Sequence, residues 1–370
     1  MKYRILELLQ CPRCHGDLEV REAQTGPAVG LRGFPFPCRR YCGLERTSVI
    51  PPPSRCLDCG GMDIQSGTLL CGNCGDRFRI VESVPWLFEQ ATGSSGRLLT
   101  DTISLYSHVW SGAATSSSQG EAHVDVVEES LDEPVVWGSI GLDAGSGSGG
   151  DTAAMARRNP SVEILSVDMS EGVYETRART ASLPNVHVVR GSVLAIPLKP
   201  DICDFGYSFG VLHHTTNPLG GLREIVRTLK PGSPLSIYLY EDHADNPWKA
   251  WPLKVVSVLR RVTTRLSPRV LSLFCYGASQ FVVLIFSMPA RILGRFERTR
   301  SLAERMPFNF GTSLFSVQPD LMDRFGAPIE ERYGREEIAA MMQASQLDVL
   351  KLVKLKRSAG WVARGEKTKG

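Results

Sequence analysis

The chain has little net charge and no dense basic run. Its 42 lysine and arginine residues nearly balance its 39 aspartate and glutamate residues, which leaves a formal net charge of +3. A net charge this small does not indicate what kind of partner the protein binds. The N-terminal ten residues place charges inside their apolar stretch and have no small-residue cleavage site, so we expect that they are not a secretory signal. We therefore expect a cytoplasmic protein.

Cysteine is scarce after residue 74. Only Cys203 and Cys275 occur in that part of the sequence. The other eight form four close pairs, which are Cys11/Cys14, Cys38/Cys42, Cys56/Cys59 and Cys71/Cys74. Two tetrahedral zinc sites with four thiolates each would use all eight. A disulfide framework is the alternative, but it suits a small secreted domain. We expect two structural zinc ions.

The length and composition are those of a globular protein with two or three domains, at 370 residues, 42% hydrophobic and 22% charged. Its most informative segment is residues 140–150, where an apolar run ends at Asp143 and continues into Gly145, Gly147 and Gly149. This pattern predicts a buried strand and a tight turn against a ligand. Asp168 closes the next predicted strand, where an acid accepts hydrogen bonds from ribose hydroxyls.

Further along, residues 203–218 predict a strand and a loop that carries His213 and His214. A helix over residues 219–230 and a strand over 236–240 follow. This order resembles the class I methyltransferases that use S-adenosylmethionine (SAM), in particular the group with the ubiquinone and menaquinone methyltransferases. The motifs that carry the resemblance are Leu142–Gly149, Val167–Asp168, Gly210–His214 and Glu224–Gly232.

The resemblance implies an α/β fold, with a Rossmann-like, seven-stranded, doubly wound sheet. It also implies a SAM site in which Asp143 holds the amino group, Asp168 binds the ribose and Met169 packs on the adenine. Ser192 stands where relatives usually have an aspartate. The implied cofactor-binding residues are Asp143, Gly145, Gly147, Gly149, Asp168, Met169, Ser192, Val193, Phe209 and Gly210. Residues 105–110 resemble the aromatic segment that many relatives lay over the cofactor, although an ordinary amphipathic helix fits equally.

His213 and His214 are the candidate catalytic residues, because imidazole titrates near neutrality and could take a proton from the acceptor. The alternative is a structural pair that packs beside the cofactor.

Residues 10–18 and 70–87 resemble the two halves of a short zinc ribbon found ahead of many bacterial methyltransferases. That resemblance groups the cysteines into one site of Cys11, Cys14, Cys71 and Cys74 and a second of Cys38, Cys42, Cys56 and Cys59. A sequential grouping, with the first two pairs together and the last two together, stays open. We interpret the ribbon as a folding module and docking surface; nucleic-acid recognition is its alternative role.

These patterns predict three parts: a zinc-ribbon-like domain at 1–90, a methyltransferase core at 97–240 plus 319–366, and a helical insertion at 241–318. The core would begin after a Gly/Ser-rich linker at 92–96. Within the insertion, residues 270–290 are uncharged, and residues 249–305 hold eleven lysines or arginines against two glutamates. This composition predicts a lid or a peripheral contact with a membrane surface. Ordinary buried helices and a transmembrane span at 270–290 are the alternatives.

The sequence therefore predicts a cytoplasmic SAM-dependent methyltransferase that acts on a small or lipid-like acceptor, with an insertion that forms either a lid or a peripheral membrane contact. RNA methylation, with the zinc ribbon as the recognition domain, is the alternative activity, and we expect nucleic acid less than a small molecule. A non-catalytic scaffold that works through its ribbon is the alternative from another class of protein.

Overall fold

A computed structural model describes residues 1–27, 36–49, 59–88, 93–110, 123–125, 140–308, 311, 313, 317–355 and 360–369. The strands in these ranges are β1 Leu18–Pro27, β2 Tyr41–Cys42, β3 Thr47–Ser48, β4 Met62–Cys71, β5 Arg77–Val81, β6 Val84–Leu87, β7 Ile140–Ala144, β8 Glu163–Asp168, β9 Val186–Gly191, β10 Phe205–Phe209, β11 Pro234–Tyr240, β12 Leu347–Lys354 and β13 Gly360–Lys367. The α-helices are α1 Gly93–Trp110, α2 Gly150–Arg158, α3 Gly172–Arg179, α4 Pro218–Thr228, α5 Pro247–Thr263, α6 Pro268–Val282, α7 Met288–Leu293, α8 Arg300–Arg305, α9 Gln318–Gly326 and α10 Arg335–Gln343. Short 3₁₀ turns lie at Tyr3–Glu7, Leu212–His214 and Glu297–Thr299, and a π turn lies at Val283–Ser287.

Seven strands form the predicted doubly wound sheet, in the order β9-β8-β7-β10-β11-β13-β12. Strands β7 to β11 pair in parallel, and β13 runs antiparallel to β11. Every residue of β7 is buried, as expected for a strand covered on both faces. The Rossmann-like fold class is confirmed, and all of its seven strands lie in the described ranges.

The sheet is larger than seven strands because the N-terminal part extends it. Strands β1, β4, β5 and β6 pair antiparallel in sequence, and β6 then pairs in parallel with β9 through Trp86 opposite Arg190 and Leu87 opposite Gly191. The result is one sheet of eleven strands among the described residues. Strands β2 and β3 form a separate hairpin. The N-terminal part is therefore built onto the edge of the methyltransferase-like sheet rather than tethered to it.

Buried charge ties these two parts together. Arg4, with 1% of its surface exposed, donates to Glu163 at 2.9 Å and to Glu7 at 2.5 Å. The ring of His187 lies 3.0 Å from the other carboxylate oxygen of Glu163. One apolar cluster also runs through both parts and contains Leu69 of β4 and Leu142 of β7. The junction thus resembles a domain interior, where charges are buried only with partners.

The predicted insertion is a set of helices packed beside the sheet. The helix that begins with α6 continues through the π turn and α7, so Pro268–Leu293 is one helix of 26 residues. Its inner side packs in an apolar cluster with Leu105 of α1 and Leu321 of α9. Helix α9, which the predicted boundaries place in the core, therefore packs with the insertion. Among the described residues, this helix alone is long and apolar enough by composition to cross a membrane.

The prediction of a Gly/Ser-rich linker at 92–96 is wrong for the four residues of it that the structure describes. Residues 93–96 form the first turn of α1, and only residue 92 lies outside the described residues. Leu105 and Val109 bury the far end of this helix in the cluster beneath the insertion. Tertiary burial therefore extends a helix into a segment whose composition suggested a flexible linker.

Candidate cofactor site and metal centre

The glycine turn leads from β7 into α2. Gly145, Gly147 and Gly149 have φ angles of +93°, +54° and +74°, which disfavour any residue with a Cβ. A Cβ at Gly145 would clash with Val211, one at Gly147 would lie 3.0 Å from the indole of Trp110, and one at Gly149 would lie 2.6 Å from Thr176. Backbone conformation and crowding both require glycine here, as the sequence predicted.

Asp168, at the end of β8, holds this turn from the neighbouring strand. Its Oδ2 accepts a hydrogen bond from the backbone N–H of Gly147 at 2.8 Å. Its Oδ1 accepts from the backbone N–H of Ser170 at 2.7 Å and from the Ser170 hydroxyl at 2.6 Å. Oδ2 keeps a second lone pair, whereas both lone pairs of Oδ1 are used, and the side chain is only half-buried. Asp168 can therefore order the turn and still accept from a ligand hydroxyl.

A cleft of about 820 Å³ opens above the turn, at the carboxyl ends of the parallel strands. This is where open α/β sheets bind their ligands. Its walls include nine of the predicted site residues, which are Gly145, Gly147, Asp168, Met169, Ser192, Val193, Phe209, Gly210 and His214. Helix α1 forms the roof with Ile103, Tyr106 and Trp110. The aromatic segment at 105–110 thus lies over the cleft, as its resemblance implied.

The residues that line the cleft fit SAM. The turn leaves a cradle that any Cβ would fill, and Asp168 offers acceptors at its rim. Beside them, the Ser192 hydroxyl accepts from the backbone N–H of Leu194 at 3.1 Å. A hydroxyl retains a second lone pair, so it can still accept from an adenine amino group, more weakly than a carboxylate.

Three predicted site residues lie behind the wall. Gly149 caps α2, and His213 is fully buried. Asp143 is also buried, and the Thr152 hydroxyl donates to its Oδ2 at 2.5 Å. Burial, with the nearby negative charge of Asp151, raises the pKa of Asp143 to about 8. Its carboxyl is thus neutral at pH 7, and a cationic group placed next to it would favour ionisation.

The two histidines have different surroundings. The ring of His213 stacks on Tyr240 with 4.0 Å between centroids, and neither ring nitrogen has a hydrogen-bond partner in the described part of the chain. Burial, followed by the charges of His214 and Arg332, lowers the pKa of His213 well below its usual value. His213 is therefore a neutral packing group that does not reach the cleft. This matches the structural alternative for the pair.

His214 does line the cleft, but both of its nitrogens face protein acceptors. Nδ1 lies 2.8 Å from the carbonyl oxygen of Ile329, and Nε2 lies 3.4 Å from Oδ1 of Asp323. An N–H on either ring nitrogen can donate to the oxygen beside it. The geometry holds His214 in place and leaves no ring nitrogen directed at a substrate.

Sequence reasoning missed a polar cluster beneath the roof. Asp323 accepts from the hydroxyl of Tyr106 at 2.5 Å and from that of Tyr240 at 2.7 Å. Burial opposes the charge of Asp323, but His214 and these two hydroxyls outweigh it and lower its pKa. Tyr106 is 217 residues from Asp323 in the chain. No local pattern links residues so far apart, so only the fold could reveal this cluster.

Four cysteines come together at the tip of the N-terminal sheet. The sulfur atoms of Cys11, Cys14, Cys71 and Cys74 all lie within 4.8 Å of one another. Cys11 and Cys74 are separated by 3.8 Å, and Cys14 and Cys71 by 3.4 Å. A tetrahedral zinc–thiolate centre with bonds of about 2.3 Å places its sulfurs about 3.8 Å apart. The first of the two groups implied by the ribbon resemblance is confirmed, and the sequential grouping is wrong.

Each half of this cluster is a tight turn. Cys11 donates its N–H to Gly16 and accepts from the N–H of His15, and Cys71 makes the same pair of bonds with Asp76 and Gly75. The side chain of His15 is engaged by Gln10 at 2.8 Å instead of joining the sulfurs. Of the second predicted site, Cys56 lies outside the described residues. Cys38, Cys42 and Cys59 do not form a cluster within them, so that site stays a prediction.

Comparison with known proteins agrees with this geometry. Residues 142–237 match the family model described as a methyltransferase domain, and residues 2–83 match the one described as Trm112p-like protein. An uncharacterised 37.1 kDa protein in a transposon of Streptomyces fradiae is 36% identical over 100 residues, which is 26% of this chain and 29% of that protein. Demethylmenaquinone methyltransferase of Staphylococcus aureus is 34% identical over 98 residues, which is 26% of this chain and 40% of that enzyme.

Among solved structures, a complex of the Haloferax volcanii Trm112 methyltransferase activator with a methyltransferase aligns with a TM-score of 0.43 and 14% identity. It covers 71% of this chain and 97% of that one. The chain spans well under two thirds of the curated relatives named above. Residues 2–83 are thus similar to the Trm112p-like family and residues 142–237 to the methyltransferase domain family, and strands from both regions pair in one sheet.

Proposed function

We propose that the chain transfers the methyl group of SAM to a small or lipid-like acceptor bound in the cleft beneath α1. The observation that carries this proposal is the cleft itself, in which the glycine turn and Asp168 lie next to apolar walls. SAM supplies an already activated methyl group. Holding the acceptor in line with it can supply about 7–11 kcal/mol of the barrier. The chain's contribution is then positioning and exclusion of water.

The character of the walls supports an apolar acceptor. Ile103, Val193, Leu194, Val211 and Ile329 line the cleft. Among the described lining residues, the carboxylate and imidazole groups are those of Asp168 and His214 alone. A cleft of this kind favours a neutral, greasy molecule over a polyanion. The demethylmenaquinone methyltransferase relative supports the same class of acceptor.

Aromatic side chains suit the cationic sulfonium of SAM. Tyr106, Trp110 and Phe209 all border the cleft close to the glycine turn. Aromatic faces attract cations, by about 0.5–2 kcal/mol depending on exposure. Neither histidine directs a free nitrogen at the cleft, so we propose that no imidazole acts as the base and that His214 holds Ile329 and α9 in place.

The test is methyl transfer from SAM labelled on its methyl group, with purified protein and host extract divided into organic-soluble, RNA and protein fractions. We expect label in the organic fraction, and we expect Asp168→Ala to abolish it along with SAM binding measured by calorimetry. Glu171→Ala is the matched control, because Glu171 is an exposed acid three residues further along the same loop. Absence of SAM binding by the wild type would leave the scaffold alternative standing.

RNA methylation is the second candidate, because the Trm112p-like domain supplies a module that could present a macromolecule. Label that ribonuclease removes would establish it. The described lining of the cleft holds no lysine or arginine, which argues against a nucleotide acceptor.

For the metal, we propose two structural zinc ions per chain, one in the cluster of four cysteines and one in the second predicted site. Cys71→Ser and Cys42→Ser should each lower the zinc content by one ion per chain. Wild-type protein with a single zinc that only Cys71→Ser removes would restrict the proposal to the first site.

A further inference from the structure

Helix α5 presents an apolar stripe to solvent. Trp251, Val255, Val258, Leu259 and Val262 recur at the spacing that places them on one side of a helix, and all five are exposed, with Trp251 at 70%. Other parts of the helix surface are tied to the protein, where Arg260 donates to the carbonyl oxygen of Ala327 and the Thr263 hydroxyl donates to that of Phe325 at 2.6 Å. A surface helix of a soluble protein normally directs its apolar stripe toward the core. The orientation of α5 is the reverse of this, because its apolar stripe faces solvent.

The helix Pro268–Leu293 is reversed in the same way. Its buried residues recur at every third or fourth position and are mostly small or polar, namely Leu271, Cys275, Ser279, Val283, Ser287 and Ala290. Its outward side carries larger apolar side chains, with Leu273 74% exposed and Phe281 63% exposed. This helix buries serines and exposes leucine and phenylalanine. That arrangement is favourable only if a binding partner also removes the outward side from water.

These exposed residues are concentrated in one place. Nineteen large hydrophobic residues are exposed in the described part of the chain, and sixteen of them lie between Trp251 and Leu302. Soluble monomers rarely expose apolar patches of this extent unless the patch binds something. We call the outward sides of α5 and of Pro268–Leu293 the apolar insertion face.

Basic residues frame this face at both ends. Arg261, Arg265 and Arg269 lie around the turn between α5 and α6, and all are exposed. At the other end, the exposed residues Arg291, Arg295, Arg298, Arg300 and Arg305 follow. The acidic residues between 247 and 305 are only Glu297 and Glu304. An apolar surface with a cationic rim complements a bilayer with anionic headgroups.

The packing decides between lying on a bilayer and crossing it. The buried row of Pro268–Leu293 extends from Leu271 to Ala290, which is nearly the whole helix. Near its start, Leu271 lies against Gly326 of α9, in the same apolar cluster as Leu105. Further along, the Ser287 hydroxyl donates to the carbonyl oxygen of Phe308 at 2.6 Å. A spanning orientation would carry the neighbouring ion pair of Asp320 and Arg324 into the hydrocarbon.

We propose that the apolar insertion face docks into the interface of an anionic phospholipid bilayer, with the helix Pro268–Leu293 parallel to the membrane plane. The proposal goes beyond methyl transfer and stands whether or not the chain transfers a methyl group. It also has a consequence for the cleft. Helix α1 contacts the insertion through Leu105 and roofs the cleft with Tyr106, so the docked surface and the cleft roof share one helix.

The test is co-sedimentation of the full chain with vesicles of phosphatidylcholine alone or mixed with phosphatidylglycerol. We expect binding to the mixed vesicles that weakens with added salt. Leu273→Glu combined with Phe281→Glu should reduce the partition coefficient by about tenfold or more. Leu350→Glu is the matched control, because Leu350 is 55% exposed on β12, outside the insertion. Unchanged circular dichroism and thermal unfolding would show that the double variant folds.

A second variant tests the rim. Arg265→Gln combined with Arg269→Gln should weaken binding to the anionic vesicles and leave the weak binding to neutral vesicles unchanged. Wild-type protein that stays in the supernatant with anionic vesicles would overturn the proposal. So would equal losses for Leu273→Glu/Phe281→Glu and for Leu350→Glu. A stable dimer in light scattering that only the former variant dissociates, without vesicle binding, would assign the face to a second copy of the chain instead.

Discussion

The Trm112p-like domain and the helical insertion are attached to the same methyltransferase domain in opposite ways. The first extends the sheet through β6 and β9, shares an apolar cluster with it and buries the ion pair of Arg4 and Glu163. The second buries only one narrow row of its long helix and leaves its larger apolar side chains outside. The N-terminal domain is therefore part of the folded core, whereas most of the large apolar side chains of the insertion lie outside the core.

This difference shows that position along the chain does not decide what a segment contributes. The N-terminal domain would be called an accessory by its place before the catalytic motifs. Its strands nevertheless supply four of the eleven that pair in one sheet across the described ranges. The insertion interrupts the methyltransferase fold, yet most of its apolar surface contributes nothing to the core. The predictions below test that contrast, beginning with the largest effect.

Loss of the metal should have the largest effect. In Cys71→Ser, we expect a large fall in the thermal unfolding midpoint, because zinc binding supplies about 10–16 kcal/mol in small zinc domains. Since the domain shares its apolar cluster with β7, the fall should extend to the methyltransferase domain. Scanning calorimetry with metal analysis measures both. His15→Ala is the control and should keep its zinc. If the methyltransferase domain of Cys71→Ser unfolded in a separate transition at the wild-type temperature, the N-terminal domain would not be part of the same folded core.

The buried ion pair at the junction should come next. Arg4→Ala leaves Glu163 buried with only His187 beside it, and breaking a buried pair in this way costs about 3–5 kcal/mol. Urea unfolding of the variant and the wild type measures this loss in the free energy of unfolding. Arg13→Ala is the control, because Arg13 is 62% exposed beside Asp76 and exposed pairs contribute about 0–1 kcal/mol. Equal effects for the two variants would mean that the junction is no tighter than the surface.

A pair of leucines two residues apart tests the insertion. Leu271→Ala removes a side chain that is 1% exposed, and such changes cost about 2–5 kcal/mol. Leu273→Ala removes one that is 74% exposed, and we expect a change within about 0.5 kcal/mol in the absence of lipid. Urea unfolding of both variants, with and without anionic vesicles, measures the contrast. A costly Leu273→Ala without vesicles would mean that another part of the chain covers this side.

Much of the methyltransferase domain could be predicted from local pattern. The predicted helix 219–230 is Pro218–Thr228, and the predicted strand 236–240 is Pro234–Tyr240. Apolar periodicity and the stop at Pro231 and Gly232 suffice for such elements. The glycine turn was predictable too, because positive φ angles at Gly145 and Gly147 leave little choice of residue.

What could not be predicted depends on contacts between distant residues. The pairing of Trp86 with Arg190 joins two domains, and no pattern in either strand specifies it. The hydrogen bond from Tyr106 to Asp323 likewise spans 217 residues. The helix Pro268–Leu293 carries its larger apolar side chains on its outward side, so apolar periodicity would have directed the wrong side inward. Its packing against α9 decides which side faces inward.

Two buried acids, one at the junction and one behind the cleft, give a test that depends on pH. Burial opposes the charge of Glu163, but His187 and Arg4 outweigh it and lower its pKa, so its contribution to stability is present above about pH 4.5 and is lost as the pH falls below it. Burial raises the pKa of Asp143 to about 8 from 3.8, and among the described residues its side-chain partners are the hydroxyls of Thr152 and Tyr207, without a cation. The folded state then holds a proton that the unfolded state has lost, so stability falls as the pH rises from about 4 to 8.

Asp143→Asn should remove this second dependence. We expect the variant to unfold at a higher temperature than the wild type at pH 8 and at nearly the same temperature below about pH 4, because the amide never has to ionise and the unfolded-state carboxyl is protonated there. The same variant should bind SAM more weakly at pH 8, since the proposed role of Asp143 requires a carboxylate opposite the amino group of SAM. Thermal scans and calorimetric titrations across this pH range measure the two effects separately. A variant that is less stable at pH 8 would mean that Asp143 is ionised in the unliganded protein and that its surroundings resemble those of Glu163.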